Sequence, residues 1–214
     1  MDYYPIYLNL ENRLCVVIGG GRVAEGKVDG LLSAGARVRV VAPALTAALE
    51  ELARGQRIEH IARAYLSGDL AEAFLAISAT DDPAVNQQVW SEANRHNLLV
   101  NVVDDTPHCS FIAPAILRQG DLSIAISTSG KAPALAVRLR EQIARLIGPE
   151  HARFLALAGS LRERLAVQTP DFAERRALWY QLVDSDILDL LRRGEEGRAR
   201  RRITEIMGVS PGGG

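Results

Sequence analysis

Residues 15–27 read CVVIGGGRVAEGK, an apolar run that stops at three consecutive glycines and continues at once as a helical pattern. A continuous apolar run of this kind is typical of a parallel strand buried on both faces. Glycine permits a tight turn and a close approach of a ligand to the backbone, and a helix that begins directly after it offers free N–H groups to an anion. As G-x-G-x-x-A, formed by Gly19, Gly21 and Ala24, the stretch matches the dinucleotide-binding fingerprint.

Short apolar runs alternate with helical patterns on both sides of this turn. The strand candidates are residues 13–20, 36–43, 58–65, 73–82, 98–105 and the beginning of 122–147. This alternation predicts an α/β fold with a doubly wound parallel sheet. From residue 150 onward the pattern is only helical, with interruptions near Pro170 and at Gly194, which predicts a small all-helical domain.

The composition narrows the class of protein. The chain has 214 residues, 48% of them apolar, and a net charge of −1, which argues for a substantial core and against a dedicated nucleic-acid binder. Two cysteines form no disulfide framework and no zinc spacing. The polar beginning is unlike a signal peptide, and no apolar run is long enough to span a membrane. We expect a soluble cytoplasmic protein.

The second feature of the dinucleotide fingerprint is missing. An acidic residue about 20 positions further on, at the end of the second strand, would bind the ribose hydroxyls of NAD. This chain has Val41, Ala42, Pro43 and Ala44 there, and no arginine follows directly to favour the 2′-phosphate of NADP. The residues by themselves leave the choice of nicotinamide cofactor open.

Three polar clusters fall at predicted strand ends, where ligands bind in open α/β sheets. They are 80–82, Asn101 with Asp104 and Asp105, and 127–131. The alternative for each is a turn or helix cap, since Ser, Thr, Asp and Asn favour those places. Asp104 ends the run LLVNVV where a strand would deliver a carboxylate into the cleft, so we expect a general base there. Asp105 is expected to cap the loop.

The remaining polar candidates favour ordinary surface roles. The four histidines show no metal-ligand spacing. His108 and Cys109 lie close to Asp104 and would be able to contact a metal transiently, but solvated loop residues are the preferred interpretation. The arginines over 198–202 predict a solvated helix face rather than a nucleic-acid site.

Taken together, the motifs resemble a known family. The stretches 4–43, 76–89 (AISATDDPAVNQQV), 101–115 (NVVDDTPHCSFIAPA) and 124–141 (IAISTSGKAPALAVRLRE), with ERRALW at 174–179, are similar to the amino-terminal module of siroheme synthase. That module is a precorrin-2 dehydrogenase and, in several members, also a sirohydrochlorin ferrochelatase. The resemblance covers nearly the whole chain and lacks the methyltransferase module, so we expect the stand-alone form.

The resemblance implies the domain order and the chemistry. It implies a Rossmann-like NAD-binding domain over 1–112, a small dimerisation and substrate-cleft region over 113–149, and an all-helical carboxyl-terminal domain over 150–214. It further implies a homodimer that oxidises precorrin-2, a tetrapyrrole, with NAD as cofactor on the way to siroheme or cobalamin. Fe²⁺ or Co²⁺ would be a second substrate if the chelatase activity is present.

The resemblance also implies roles for single residues. Asp104 coincides with the family's catalytic aspartate, and Ser127, Thr128 and Lys131 would border the tetrapyrrole. Thr128 stands where some relatives have a phosphorylated serine, so the same regulation does not automatically carry over. The residues expected to contact NAD are Gly19, Gly20, Gly21, Arg22, Val23, Pro43, Ala44, Thr80 and Asn101. The rival hypothesis is a non-enzymatic NAD(H)-binding redox sensor, which would need no base at residue 104; chelatase activity alone would make the glycine turn redundant.

Overall fold

The structure is a computed structural model that describes residues 3–212. The chain divides between Ala113 and Pro114 into two compact units, and each has a hydrophobic core of its own. Across residues 3–212, every helix is too short or too polar to cross a lipid bilayer.

The first unit is built on a five-stranded parallel sheet with the strand order β3-β2-β1-β4-β5. The strands are β1 Leu14–Ile18, β2 Arg37–Val41, β3 Glu59–Ile61, β4 Leu75–Ser78 and β5 Leu99–Val102. The direction of winding reverses between β1 and β4, and ligands of such sheets bind beyond the carboxyl ends of the strands at that point. The predicted doubly wound parallel sheet is therefore confirmed.

Helices cover both faces of this sheet. Helices α1 (Arg22–Leu32) and α2 (Ala47–Arg54) pack on one face, and α3 (Pro83–Arg95) packs on the other. All five residues of β1 are buried, and the neighbours Val16 and Val17 belong to opposite core layers. Successive side chains of a strand point to opposite faces, so a strand covered on both sides must be apolar throughout. This explains the run that precedes the glycines.

The connection from β3 to β4, residues 62–74, is held by a buried carboxylate instead of a helix. Glu92 of α3 is only 2% exposed and accepts hydrogen bonds from the Tyr65 hydroxyl at 2.5 Å and from the N–H groups of Gly68 at 2.9 Å and Leu70 at 3.1 Å. Burial alone would raise the pKa of Glu92, but these donors outweigh it and lower the pKa. Burial, together with the bond to Glu92, raises the pKa of Tyr65.

The second unit begins with a hairpin that the sequence analysis did not predict. Strands β6 (Ala115–Gln119) and β7 (Leu122–Ile126) pair antiparallel in a sheet of their own. The expectation that the strand at the start of 122–147 continues the parallel alternation is therefore wrong. Only Gly120 and Asp121 separate the two strands, and a two-residue loop can close an antiparallel pair but not a parallel one.

The rest of the second unit is helical, as predicted. The interruption near Pro170 falls between α6 and α7, and the one at Gly194 falls between α8 and α9. Leucine, isoleucine and methionine side chains from α5 to α9 form its core, among them Leu161, Leu182 and Ile203. The helices are α4 Pro133–Ala144, α5 Pro149–Gly159, α6 Arg162–Gln168, α7 Phe172–Val183, α8 Ile187–Arg192 and α9 Glu196–Met207.

Candidate functional site

The first two glycines of the turn after β1 allow three strand ends to come together. Gly19 has a φ of +114°, and a Cβ atom there would lie 2.3 Å from the carbonyl oxygen of Ala79, just beyond β4. A Cβ atom at Gly20 would lie 2.0 Å from the carbonyl oxygen of Ala44, just beyond β2. The Thr46 N–H also donates to the Gly20 carbonyl at 3.0 Å. No larger residue fits either position, because backbone atoms stand in the way.

The third glycine faces open space. A Cβ atom at Gly21 would meet no atom of residues 3–212 within 4 Å. Gly21 is the N-cap of α1, and no described side chain caps this end of the helix. Ala24 is fully buried where the helix packs on the sheet, while Val23 in the first turn is 52% exposed. The open space and the free N–H groups fit the pyrophosphate of a dinucleotide.

The neighbouring helices begin differently, which sets α1 apart. Thr46 caps α2 by accepting from the Leu49 N–H, and Asp82 caps α3 by accepting from the N–H of Ala84 at 2.8 Å. These helix ends are satisfied by their own side chains. For Asp82 the cap alternative raised by the sequence is therefore confirmed, and among α1, α2 and α3 it is the N-terminus of α1 that stays available to an anion.

The other candidates for cofactor contact lie around the same edge of the sheet. Pro43 and Ala44 are exposed directly after β2, and Arg22 is exposed in the first turn of α1. Thr80 follows β4; its hydroxyl accepts from the Asp82 N–H at 3.3 Å, so this side chain already takes part in the turn before α3.

Asp104 lies in the turn that follows β5. The Asp105 N–H donates to the Val102 carbonyl at 3.2 Å and closes the turn, in which Asp104 has a φ of +60°. Aspartate tolerates this left-handed conformation better than most residues. The side chain is exposed, and no described residue hydrogen-bonds its carboxylate. Val103 donates to the Ser78 carbonyl at 2.9 Å, so the turn starts beside the end of β4.

Asn101 holds this loop together from inside the sheet. It is 7% exposed, and its amide nitrogen donates to the Phe111 carbonyl at 3.0 Å and contacts the Cys109 sulfur at 3.4 Å. The Val102 N–H donates to the same sulfur at 3.2 Å. The Ser110 N–H donates to the Val100 carbonyl at 2.8 Å, so residues 109–111 run beside β5. The side-chain amide nitrogen of Asn101 is thus committed to the loop.

The interpretation of Cys109 as a solvated loop residue is wrong. Cys109 is 9% exposed because its sulfur is enclosed by the backbone of the turn, and the carbonyl oxygens of Val102 and Asp105, each 3.2 Å from the sulfur, can accept its one S–H. Burial raises the pKa of Cys109; the Val102 N–H and the Lys27 ammonium oppose that rise. His108 is half-buried and bound to Asp105 through its side chain, a pairing for which the sequence gives no signal beyond the spacing of three residues.

The substrate candidates Ser127, Thr128 and Lys131 lie in the second unit, in the turn between β7 and α4. The Ser127 hydroxyl accepts from the Ser129 N–H at 3.0 Å, and the Thr128 hydroxyl accepts from the Ala132 N–H at 3.2 Å. The Lys131 side chain is exposed and makes no ion pair with any residue of the described range. The two hydroxyls therefore shape the turn, and the ammonium group is left for another partner.

The sheet order, the glycine turn and the uncapped helix define the class of Rossmann-type proteins that bind a dinucleotide. A family model described as putative NAD(P)-binding matches residues 6–115. Models described as sirohaem biosynthesis protein central and sirohaem synthase dimerisation region match 119–146 and 150–207. The chain belongs to the putative NAD(P)-binding family, and its second half matches two sirohaem synthase models, which confirms the resemblance seen in the motifs.

Individual relatives agree with this assignment. The chain is 43% identical to the siroheme synthase of Photobacterium profundum over all 214 residues, which is 46% of that protein. It is 40% identical to siroheme synthase 1 of Serratia proteamaculans over 205 residues, 96% of this chain and 43% of that protein. The chain thus spans less than half the length of these curated relatives. The solved structure of SirC, a precorrin-2 dehydrogenase, superposes with a TM-score of 0.80 at 25% identity, covering 97% of this chain and all of the other.

Proposed function

We propose that this chain is an NAD-dependent precorrin-2 dehydrogenase that produces sirohydrochlorin for siroheme or cobalamin. The observation that carries the proposal is the pairing, in the first unit, of an open dinucleotide turn at Gly21 with an exposed, unpartnered carboxylate at Asp104. The likeness to SirC over nearly the whole chain supports the choice of substrate. The expected location is the cytoplasm.

The cofactor would be held at the carboxyl ends of β1, β2 and β4. The first-turn N–H groups of α1 would bind the pyrophosphate, and the exposed residues Arg22, Val23, Pro43 and Ala44 would border the adenosine half. We propose NAD rather than NADP because the resemblance to the precorrin-2 dehydrogenase module implies it; the residues directly after β2 include neither the acidic nor the basic side chain that would decide the choice. A nicotinamide cofactor bound there would supply the hydride acceptor.

Asp104 would be the base of the reaction. Oxidation of precorrin-2 removes one hydride and one proton, and a carboxylate placed at the cleft can take the proton. The left-handed turn presents the Asp104 carboxylate without a competing hydrogen bond from residues 3–212. Such a base typically contributes about 10²- to 10⁴-fold to the rate.

The tetrapyrrole carries carboxylates, so its binding surface should offer cations and hydroxyls. Lys131, with Ser127 and Thr128 beside it, would supply them. We propose metal insertion as a second activity, with Fe²⁺ or Co²⁺ as substrate and Asp104 accepting the pyrrole protons.

A homodimer belongs to the same proposal. None of the β6 and β7 residues is fully buried, and α4 exposes Leu135 and, one turn later, Leu139. The match to a sirohaem synthase dimerisation region, which covers residues 150–207 of the same unit, supports a second copy as the partner of the second unit. Sedimentation of Leu135→Arg should then give a monomer, whereas Leu66→Arg, at an equally exposed leucine of the first unit, should remain a dimer.

The test of the activity is anaerobic turnover of freshly generated precorrin-2. NADH should form with NAD⁺, and NADPH should form at least about tenfold more slowly with NADP⁺, which corresponds to about 1.4 kcal/mol. Fe²⁺ or Co²⁺ added afterwards tests metal insertion. NAD binding without any turnover would contradict the proposed enzymatic activity and favour the alternative hypothesis, a non-enzymatic redox-sensing module.

A further inference from the structure

The Asp104 turn is continued by a short segment that closes on itself. Residues Thr106–His108 form one turn of 3₁₀ helix, and the His108 N–H donates to the Asp105 carbonyl at 3.0 Å. The His108 imidazole returns to the same residue, with Nδ1 at 2.7 Å from the Asp105 carboxylate. Because a carboxylate is only an acceptor, Nδ1 carries the hydrogen of this bond.

The imidazole is also held from the other side. Its ring lies edge-on to Trp90 of α3, with the ring centroids 4.7 Å apart and an interplanar angle of 66°. Trp90 is packed against the core layer on the α3 face of the sheet. Edge-to-face geometry of this kind is favourable for aromatic pairs. His108 thus links a fixed helix to the residue that follows Asp104.

Asp105 carries this link into the backbone of the turn. Its N–H closes the turn around Asp104 by donating to Val102, and its side chain binds His108. The side chains of Asp105 and His108 are 35% and 32% exposed, so solvent reaches the pair but does not surround it. The order of contacts is Trp90, His108, Asp105 and then the left-handed Asp104.

We propose that His108 is a positioning residue, which acts through Asp105 to hold the Asp104 carboxylate at the angle that proton removal requires. This inference rests on the proposed dehydrogenase function. A base misplaced by about 1 Å can lose on the order of 10² in rate, so a small rotation of the turn would be visible in turnover. His108 itself touches neither substrate nor cofactor in this account.

The test compares three variants of the full chain. His108→Ala removes the imidazole, His108→Asn keeps a donor near the position of Nδ1, and His96→Ala removes an exposed histidine at the end of α3. We expect kcat to fall at least about tenfold in His108→Ala with the KM for NAD⁺ within about twofold. His108→Asn should recover most of kcat, and His96→Ala should match the wild type.

A second readout follows the turn without any turnover. The Cys109 thiol is shielded by the same turn, so its alkylation by iodoacetamide, resolved by peptide mass spectrometry, reports whether the turn is closed. Cys109 should react several-fold faster in His108→Ala than in the wild type or His96→Ala. Cys15, fully buried in β1, should stay slow in all of them.

The outcomes separate this inference from the proposed function. Wild-type kcat in His108→Ala, or unchanged Cys109 alkylation, would overturn the positioning role while the dehydrogenase stands. No turnover by the wild type would contradict the dehydrogenase, and the alkylation rates would then still decide whether His108 closes the turn. Equal loss of kcat in His108→Ala and His108→Asn would also count against the role of the Asp105 bond.

Discussion

The turn after β1 and the turn after β5 lie at the same edge of the sheet and are built in opposite ways. The glycine turn fits backbone against backbone at Gly19 and Gly20, and leaves the first-turn N–H groups of α1 and the space at Gly21 unused. The turn around Asp104 is closed by its own backbone and by side chains of the residues just before and after it. The Asp104 carboxylate is left without a hydrogen bond from residues 3–212.

The difference matches what each turn would have to do. A dinucleotide pyrophosphate needs several donors with no side chain in the way, and only backbone N–H groups at a glycine turn offer that. A base needs one carboxylate in a fixed direction, so the chain around it must satisfy its own hydrogen bonds. Substitutions that affect only one of these turns can test the division.

The largest effect is expected from Gly20→Val. The new Cβ atom would lie 2.0 Å from the Ala44 carbonyl, and backbone cannot move aside as a flexible side chain would. We expect a loss of at least about 3 kcal/mol in the free energy of unfolding, measured by urea denaturation. Gly26→Ala, where a Cβ atom meets nothing within 4 Å among residues 3–212, is the control and should not destabilise the protein.

The connection between β3 and β4, residues 62–74, adds a third case to the comparison, because the ionised carboxylate of Glu92 holds it in place. In Glu92→Gln one acceptor oxygen is replaced by an amide nitrogen, which would face the Tyr65 hydroxyl or a backbone N–H. That donor then has no acceptor, at a cost of about 2 kcal/mol in the free energy of unfolding. In the folded protein the pKa of Glu92 lies below its ordinary value of 4.5. The ionised carboxylate therefore stabilises the folded state fully above pH 4.5, and this stabilisation is lost as the pH falls through the lowered pKa. Urea denaturation should therefore show the deficit at neutral pH and a smaller one in acid.

The matched control for this loop is Glu50→Gln on the exposed face of α2. It should leave the free energy of unfolding unchanged at either pH. A deficit of Glu92→Gln that stays constant from neutral to acid pH would show that the charge of Glu92 is not what closes the loop.

Gly21→Val tests the open side of the glycine turn. Gly21 has an extended backbone (φ −89°, ψ −174°) that valine adopts, and its Cβ atom has room, so the unfolding free energy should change little. The side chain would occupy the proposed pyrophosphate space, so we expect NAD affinity by calorimetry to fall at least about tenfold, or 1.4 kcal/mol. Unchanged affinity would place the dinucleotide elsewhere.

The smallest effect is expected from Ser110→Ala, in the segment after the Asp104 turn that runs beside β5. Its hydroxyl accepts from the Val100 N–H at 2.8 Å and donates to the Val100 carbonyl at 3.2 Å. Losing both should cost about 1 kcal/mol of unfolding free energy while NAD affinity stays constant. Ser91→Ala on α3 is the control, and a similar cost there would mean that the loop contacts are not special.

The sequence predicted the parts of the molecule that depend on local pattern. The buried β1, the glycine turn and the breaks at Pro170 and Gly194 follow from periodicity and from residues with special backbone preferences. The β6–β7 hairpin was missed because its strands are short and partly exposed, although the Gly120–Asp121 pair is a hairpin signal.

The contacts that build the Asp104 loop were beyond prediction. Neither the burial of Cys109 nor the bonds from Asn101 to residues 109–111 leave a periodic trace, because they depend on how the chain returns beside β5. The resemblance to siroheme synthase singled out Asp104, but only the structure shows what shapes its turn.

The most direct test of the central claim measures binding and turnover separately in two variants. In Asp104→Asn, NAD affinity should equal that of the wild type while anaerobic precorrin-2 oxidation falls at least about a hundredfold. In Gly21→Val, NAD affinity should fall, and turnover should recover at saturating NAD⁺. If Asp104→Asn loses NAD affinity, or keeps its turnover, the proposal that the glycine turn binds the cofactor while Asp104 removes the proton is wrong.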